Sequence, residues 1–574
     1  MGQNKQAGWV AVAKSQPWRY GAIALLGLGI FLRFYHLDYK VYWLDEIYTS
    51  LRLAGYTRAE YIQNLFTGDL VGVDALQHYQ YPNAAKSWLD MVQSIAADEP
   101  QLTPLYFVLV RLWVQGFGDS ITAIRSFSAV IGLCLFPSMW WLCRELFRAP
   151  QIGASTGWIA IAILSISPVH VLYAQEARPY SLLAVFTALS SAVLLWAMRT
   201  QTRSHWAIYG LTVALGLYAH LLFGLVAIAH GIYVGLMGYT GVDAIAPSKL
   251  PARPPRPTLF RLSPLSLSYL LATGVALLSS LPWLAILVRD FDRVDNISAL
   301  SSQGRSASQL IDRWFLIINQ AFLGASLNTT NGVLVCLVAV ALYVLCRHSP
   351  RSVWLFILLL IGIPFLTLAL PDLINGGGRS IRIRYLIPSY LGIQLALTSL
   401  FATQAIQAKT WAQKLCRITL IVLLMASGVG CAVMSQSQLW WNKGIGRSAY
   451  YIPVAELINY AEQPLVISDR HPIDVLGLSH RLHPDVMFQL IEHPKQLTVA
   501  KGFSSIFLLN PSQRLRNKLI RQNYRLTLLY DDPTADDKGN NGGDNRYRLW
   551  RITLADGLES DDRAGKILTQ TAAP

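Results

Sequence analysis

Charge is scarce in this chain: of its 574 residues only 14% are Asp, Glu, Lys or Arg, while 53% are hydrophobic. A soluble domain carries about 25% charged residues, so an ordinary soluble enzyme is excluded. Cysteine is scarce as well. The six (Cys134, Cys143, Cys336, Cys346, Cys416 and Cys431) all fall in or at the ends of apolar runs. That leaves no disulfide framework and no paired metal-ligand spacing, and the six read as small buried hydrophobes. Acids are outnumbered by bases, giving a net charge of +15. The excess lies mostly in short loops between apolar runs, as the positive-inside rule requires, and no basic helix interleaved with aromatics suggests nucleic acid as a partner. A phosphate-cradling glycine loop is also missing. Gly376-Gly377-Gly378 is too little for one and reads as a flexible lead-in to the residues after it.

What the chain has instead is a series of apolar runs, each roughly 20 residues and so long enough to cross a bilayer. They cover 20–37, 121–142, 153–175, 180–198, 205–219, 221–238, 264–288, 331–346, 353–370, 385–403 and 418–434. The first follows Lys5, Lys14 and Arg19 without a small-residue cleavage site, so it reads as an uncleaved span. The stretch 104–117 is short and holds Arg111; it is expected to lie in the interface. The expectation is an all-α polytopic membrane protein of about eleven to thirteen transmembrane helices, with residues 1–434 forming the membrane domain and 38–102 its first outer loop. Residues 435–574 change character. VAELINYAEQ and PSQRLRNKLIRQ have helical patterns, and PLVIS, SSIFLLN, RLTLLY and RYRLWRITL have strand patterns. A small extracytoplasmic α/β domain with a disordered tail from about Asp556 follows. The cytoplasmic loop SKLPARPPRPTLFR is basic, Pro-rich and extended. DDPTADDKGNNGGD lacks the spacing of a calcium loop and reads as a hairpin loop.

Asp45 and Glu46 stand just outside the first span, flanked by Trp43 and Tyr48. Carboxylates beside lipid are costly unless they act, although an acidic pair also suits a helix start. Asp45 is assigned as a general base for a hydroxyl attacking an electrophilic carbon. Asp98 and Glu99 precede Thr103-Pro104; Glu99 can cap the helix there, or bind a sugar hydroxyl or a divalent metal. Tyr173, Glu176 and Tyr180 share a helix face, with Arg178 close by and Pro168 and Pro179 interrupting the pattern. An internal Glu176–Arg178 ion pair is the plainer alternative to substrate binding. Arg125, and Arg379, Arg382 and Arg384 with Tyr385, are the cationic candidates. The 379–384 group sits on the side the positive-inside rule leaves poor in cations, and guanidinium suits a lipid-borne phosphate. His220, at an outer turn, is a further substrate-binding candidate; His78, His170 and His230 are given no role.

The outer Asp-Glu pair, PLYFVLVRLWVQGFGDS with AIRSFSAV, SPVHVLYAQEARPYSLLAV and RIRYLIPSYL together resemble the membrane glycosyltransferases of family 39. These are relatives of the protein O-mannosyltransferases and the lipid A aminoarabinose transferases, with the GT-C fold. The likeness covers roughly residues 20–400, and its most specific parts are QEARPY and the Asp-Glu pair. Where that family often has a histidine before Pro-Leu-Tyr, Leu102 and Thr103 stand here. The resemblance implies an inverting transfer from a polyprenyl-phosphate sugar to a glycan, lipid or protein acceptor, on the outer face of the cell (inner) membrane. Asp45 matches the catalytic acid and Glu46 its partner; Glu99 matches an acid used for substrate or metal, so a divalent metal at Asp45 and Glu99 stays open. Arg125 and Arg384 match lipid-phosphate contacts. A transporter or flippase of lipid-linked glycans is the competing class, but it needs no outer acidic pair and predicts inverted repeats, which are not seen. A non-catalytic scaffold acting through the C-terminal domain ranks third.

Overall fold

The computed structural model describes residues 17–148, 150–239, 263–292, 304–325, 331–405, 409–443, 448–532 and 546–554. The basic amino terminus, the Pro-rich loop, most of the 531–544 segment and the polar tail lie outside them. The chain divides into two compact units: Met1–Lys40 with Val92–Gln438, and Val41–Met91 with Leu439–Pro574.

The first unit is helical. Each run expected to cross the membrane meets a helix or a bent helix pair. Among the described residues, six helices are long and apolar enough to cross by themselves: Ile121–Leu146, Tyr180–Thr200, Pro264–Arg289, Arg351–Asn375, Ile383–Gln404 and Trp411–Ser435. A seventh crossing arises if Ser155–Ser165 and Pro168–Ala174, bent by 61°, count as one. The other expected crossings, Pro17–Phe34, Arg203–Ala219, Phe223–Tyr239 and Asn331–His348, are helices of 17 or 18 residues. The chain is thus a multi-pass membrane protein. Leu105–Phe117 has 13 residues, about 20 Å at 1.5 Å per residue, too short for a hydrocarbon core of about 30 Å.

The bent pair positions everything that follows. Pro168 cannot continue the preceding helix, so the carbonyls of Leu164 and Ser165 lose their helical donors. Arg33, from the first helix, supplies them. Its guanidinium donates to Ser165 O and Leu164 O, each at 2.9 Å, and to Gly29 O at 2.8 Å. Farther along, Gln175 Nε2 donates to Leu32 O at 2.6 Å and Tyr35 O at 3.0 Å. Gln394 bridges His170, at 3.0 Å, and Ser167, at 3.1 Å. Non-helical backbone at membrane depth survives only where protein or a lined cavity satisfies it, and residues 166–184 are buried throughout.

The second unit is built on one six-stranded sheet. Its strands are β1 Thr67–Gly72, β2 Pro464–Ser468, β3 Met487–Ile491, β4 Ser505–Leu509, β5 Tyr524–Asp531 and β6 Arg548–Leu554, in the order β1-β3-β2-β4-β6-β5. The central β3, β2 and β4 run parallel, and β1, β6 and β5 pair antiparallel. PLVIS is buried at every position, as a central parallel strand demands. Helix Gln513–Arg521 is capped by Ser512 and turns Leu515 and Leu519 onto Leu465, Ile467, Leu508 and Ile552. The two strands flanking the 531–544 segment pair with each other, Asp531 opposite Arg548. The sequence reading keeps 38–102 with the membrane domain, whereas the structure groups Val41–Met91 with the carboxy-terminal residues. The reason is long-range pairing: β1 forms an edge of the sheet on β3, and Glu492 N donates to Phe66 O at 3.2 Å.

Candidate functional site

Within the first unit, the break at Pro168–Pro179, the turn at His220 and the segment before helix Ile387–Gln404 bring six expected residues together. Tyr173 and Tyr180 lie with ring centroids 5.0 Å apart, and Tyr180 is 5.8 Å from the His220 ring. The Arg178 guanidinium lies 6.0 Å from the Tyr180 ring centroid. Tyr173 senses the charges of Glu176 and Arg384, and His220 those of Arg178 and Arg384. Glu176 is fully buried and Arg178 nearly so. Ser128 fixes this segment by donating to Arg178 O at 3.5 Å while bonding Tyr106 at 2.8 Å.

The turn defines the state of His220. Leu222 N donates to its Nδ1 at 3.1 Å, so the proton of the neutral ring sits on Nε2. Burial first, then Arg178 and Arg384, push its pKa down to about 3. At neutral pH it is therefore an uncharged donor beside two cations. Tyr390, not singled out from the sequence, belongs here too. It neighbours Tyr173, is 2% exposed, and its hydroxyl has no hydrogen-bond partner among the described residues. A buried phenol of that kind points to a bound polar group. Its signal was a Tyr in the first turn of a buried span.

The segment before that span is not a loose lead-in. Gly376 caps helix Arg351–Asn375 at φ 68°, and Gly377 N donates to Asp372 O at 3.2 Å. Asp372 Oδ2 then accepts from Ser380 N at 2.6 Å and Ser380 Oγ at 2.7 Å. A Cβ on Gly377 would lie 2.3 Å from Asp372 Oδ1, so glycine is required by close approach. The outcome is a fixed loop that aims Arg384, over the Tyr385 ring at 5.4 Å, towards Tyr173 and His220. Arg382 does not join them; its charge bears on Arg305.

Other expected residues are placed differently. Arg125 is fully buried and donates to Leu37 O at 2.5 Å and Lys40 O at 3.0 Å. These bonds tie it to the chain leaving the first helix. In the second unit, Glu46 is fully buried in an ion pair with Lys443, 2.8 Å from Nζ. Asp45, in the first turn of helix Leu44–Ala54, is half-buried. Glu99, half-buried, follows helix Trp88–Asp98 and belongs to the first unit. Among the described residues, no three His, Cys, Asp or Glu side chains gather to hold a metal ion.

Residues 98–239 match the family model of the Dolichyl-phosphate-mannose-protein mannosyltransferases. The resemblance seen in the sequence holds over that segment, and it speaks for glycosyl transfer as the class of reaction. No curated protein matches the chain. Among solved structures, ArnT from Cupriavidus metallidurans bound to undecaprenyl phosphate is similar at 14% identity and TM-score 0.46, over 94% of this chain and 98% of that one. The oligosaccharyltransferase AglB from Archaeoglobus fulgidus, in complex with an inhibitory peptide and a dolichol-phosphate, is similar at 12% identity and TM-score 0.44, over 82% and 65%. A further structure of the Archaeoglobus fulgidus oligosaccharyltransferase, in complex with Zn and sulfate, is similar at 12% identity and TM-score 0.37. This chain covers 54% of its length, with 67% of this chain aligned.

Proposed function

We propose that this protein is an inverting glycosyltransferase that moves a sugar from a polyprenyl-phosphate donor to an acceptor at the outer face of the cell membrane. The observation that carries the reading is the convergence of Arg178, Arg384 and neutral His220 with Tyr173, Glu176 and Tyr390 at a helix break among membrane-crossing helices.

The chemistry follows from those side chains. As the bond between the sugar C1 and the phosphate oxygen breaks, negative charge develops on the phosphate. Arg178, buried, and Arg384, half-buried, stabilise that charge from positions fixed beforehand. His220 Nε2–H and the Tyr390 hydroxyl add neutral donors. Glu176 accepts from a sugar hydroxyl. The acceptor hydroxyl attacks C1 from the opposite face, its proton passes to Asp45, and the new C1–O bond forms as the old one breaks. Asp45 receives this role from its place directly after the first span. Glu99 is assigned to the acceptor side. Nucleotide sugars are confined to the cytoplasm, so a transferase working outside needs a donor carried by lipid.

The test is transfer from a radiolabelled polyprenyl-phosphate sugar by protein reconstituted in lipid. Asp45→Ala, inserted and expressed like the parent, is expected to abolish turnover; retained turnover removes Asp45 from the mechanism.

A further inference from the structure

Arg33 spends only part of its fork on the helix break. Its two terminal nitrogens serve the Gly29, Leu164 and Ser165 carbonyls. Nε, on a side chain 1% exposed, makes no hydrogen bond to any described residue. A guanidinium N–H is a donor and nothing else, so a buried one calls for an acceptor. That nitrogen belongs to the wall of an internal cavity. Arg33, Gly132, His170, Tyr173, Tyr180 and Ser181 are among the residues lining it, and it has room for about one water molecule. Gly132 keeps the space open: a Cβ built on it would lie 4.0 Å from Arg33 Nε and 3.6 Å from Ser181 Oγ.

The lining sets the chemistry of the occupant. Ser181 Oγ donates to Tyr173 O at 3.2 Å, which leaves its lone pairs to accept. Gln394 Nε2 donates to Ser167 Oγ at 3.1 Å, so Gln394 Oε1 accepts from His170 Nε2, 3.0 Å away. The other nitrogen of that ring, Nδ1, is then an acceptor. One donor and two acceptors around so small a space match a water, which accepts from Arg33 and donates twice. Buried waters make about three such bonds. A halide would take the Arg33 bond and meet two lone pairs, and an alkyl group would take no bond.

We propose that this cavity is a binding site for one ordered water, which accepts from Arg33 Nε and completes the hydrogen bonding of the guanidinium at the helix break. Tyr173 and Tyr180 line the cavity and also belong to the candidate site, but the inference needs no transfer reaction. It stands or falls apart from the proposed function.

Gly132→Ala in the full-length protein tests it by the sign of a stability change. The added methyl meets Ala174 Cβ at 3.4 Å, Ser181 Oγ at 3.6 Å and Arg33 Nε at 4.0 Å, contacts of ordinary length. It therefore fills the cavity without moving a neighbour and leaves no room for a water. In a dry cavity, filling the space and replacing a helical glycine both stabilise. With a water bound, the methyl expels it and strands Arg33 Nε. The melting temperature in detergent is then expected to fall by about 2 °C or more. Gly27→Ala, in the first helix with nothing within 4 Å of its added Cβ, is the control and should not fall. An unchanged or raised melting temperature in Gly132→Ala overturns the water site. A high-resolution crystal map of the parent reads the occupant directly. A water-sized peak at hydrogen-bond distance from Nε supports the site, and no peak there overturns it. A peak that gives a bromine anomalous signal from crystals grown in bromide identifies a halide and overturns it as well.

Discussion

Arg33 of the first span reaches Ser165, 132 residues away in sequence, and donates to its carbonyl at 2.9 Å. The same guanidinium serves Leu164 at the Pro168 break and Gly29 in its own helix. Arg33→Met removes the Arg33 donor from the buried Ser165 carbonyl, at about 1–3 kcal/mol. Thermal unfolding in detergent should show a clear loss of stability, with Arg33→Lys intermediate because one ammonium cannot reproduce the fork. A melting temperature unchanged in Arg33→Met would remove the clamp.

Glu46 and Lys443 make the corresponding tie within the sheet-bearing unit, 1% and 0% exposed for the lysine and glutamate side chains. Removing one partner strands a buried charge, so Glu46→Ala should destabilise by about 3–5 kcal/mol. Glu46→Met/Lys443→Met should recover most of that. Chemical denaturation followed by tryptophan fluorescence checks the pair; additive losses in the double variant would contradict the coupling.

His220 gives a pH dependence whose sign is fixed by its lowered pKa. Above the ordinary histidine value of about 6.5 both folded and unfolded chains hold the ring neutral. As pH falls from there towards the folded value of about 3, only the unfolded chain gains the proton. Stability therefore declines over that window, by at most about 1.4 kcal/mol per pH unit for one proton. His220→Gln should flatten this part of the curve, as melting temperatures at pH 7, 6 and 5 would show. A parent and variant with parallel curves would mean that His220 titrates normally.

Much of this architecture could be read directly. Apolar runs marked each crossing, and PLVIS, SSIFLLN and the strands of the final hairpin announced themselves by hydrophobic pattern. The strand Thr67–Gly72 did not, because TGDLVG contains two glycines and gains its strand character only from pairing with β3. Lys443 was hidden for a related reason: its partner Glu46 stands 397 residues away, and no local pattern links them. Of the site, QEARPY and RIRYL were visible as polar interruptions of apolar sequence. Their division was not, since which neighbours Arg382 and Arg384 face depends on how Asp372 and Ser380 fold the loop. Arg125 was legible as a cation near the interface, but its bonds to the Leu37 and Lys40 carbonyls were not, because they depend on how the chain leaves the first helix.

The most direct measurement on the central claim is the donor KM of Arg384→Ala with a polyprenyl-phosphate sugar at saturating acceptor, set against the parent. A guanidinium that holds the lipid phosphate gives a KM raised about tenfold or more, in keeping with one charge-assisted hydrogen bond of about 1.5–3 kcal/mol. An unchanged KM, in a variant that folds and turns over, would contradict it.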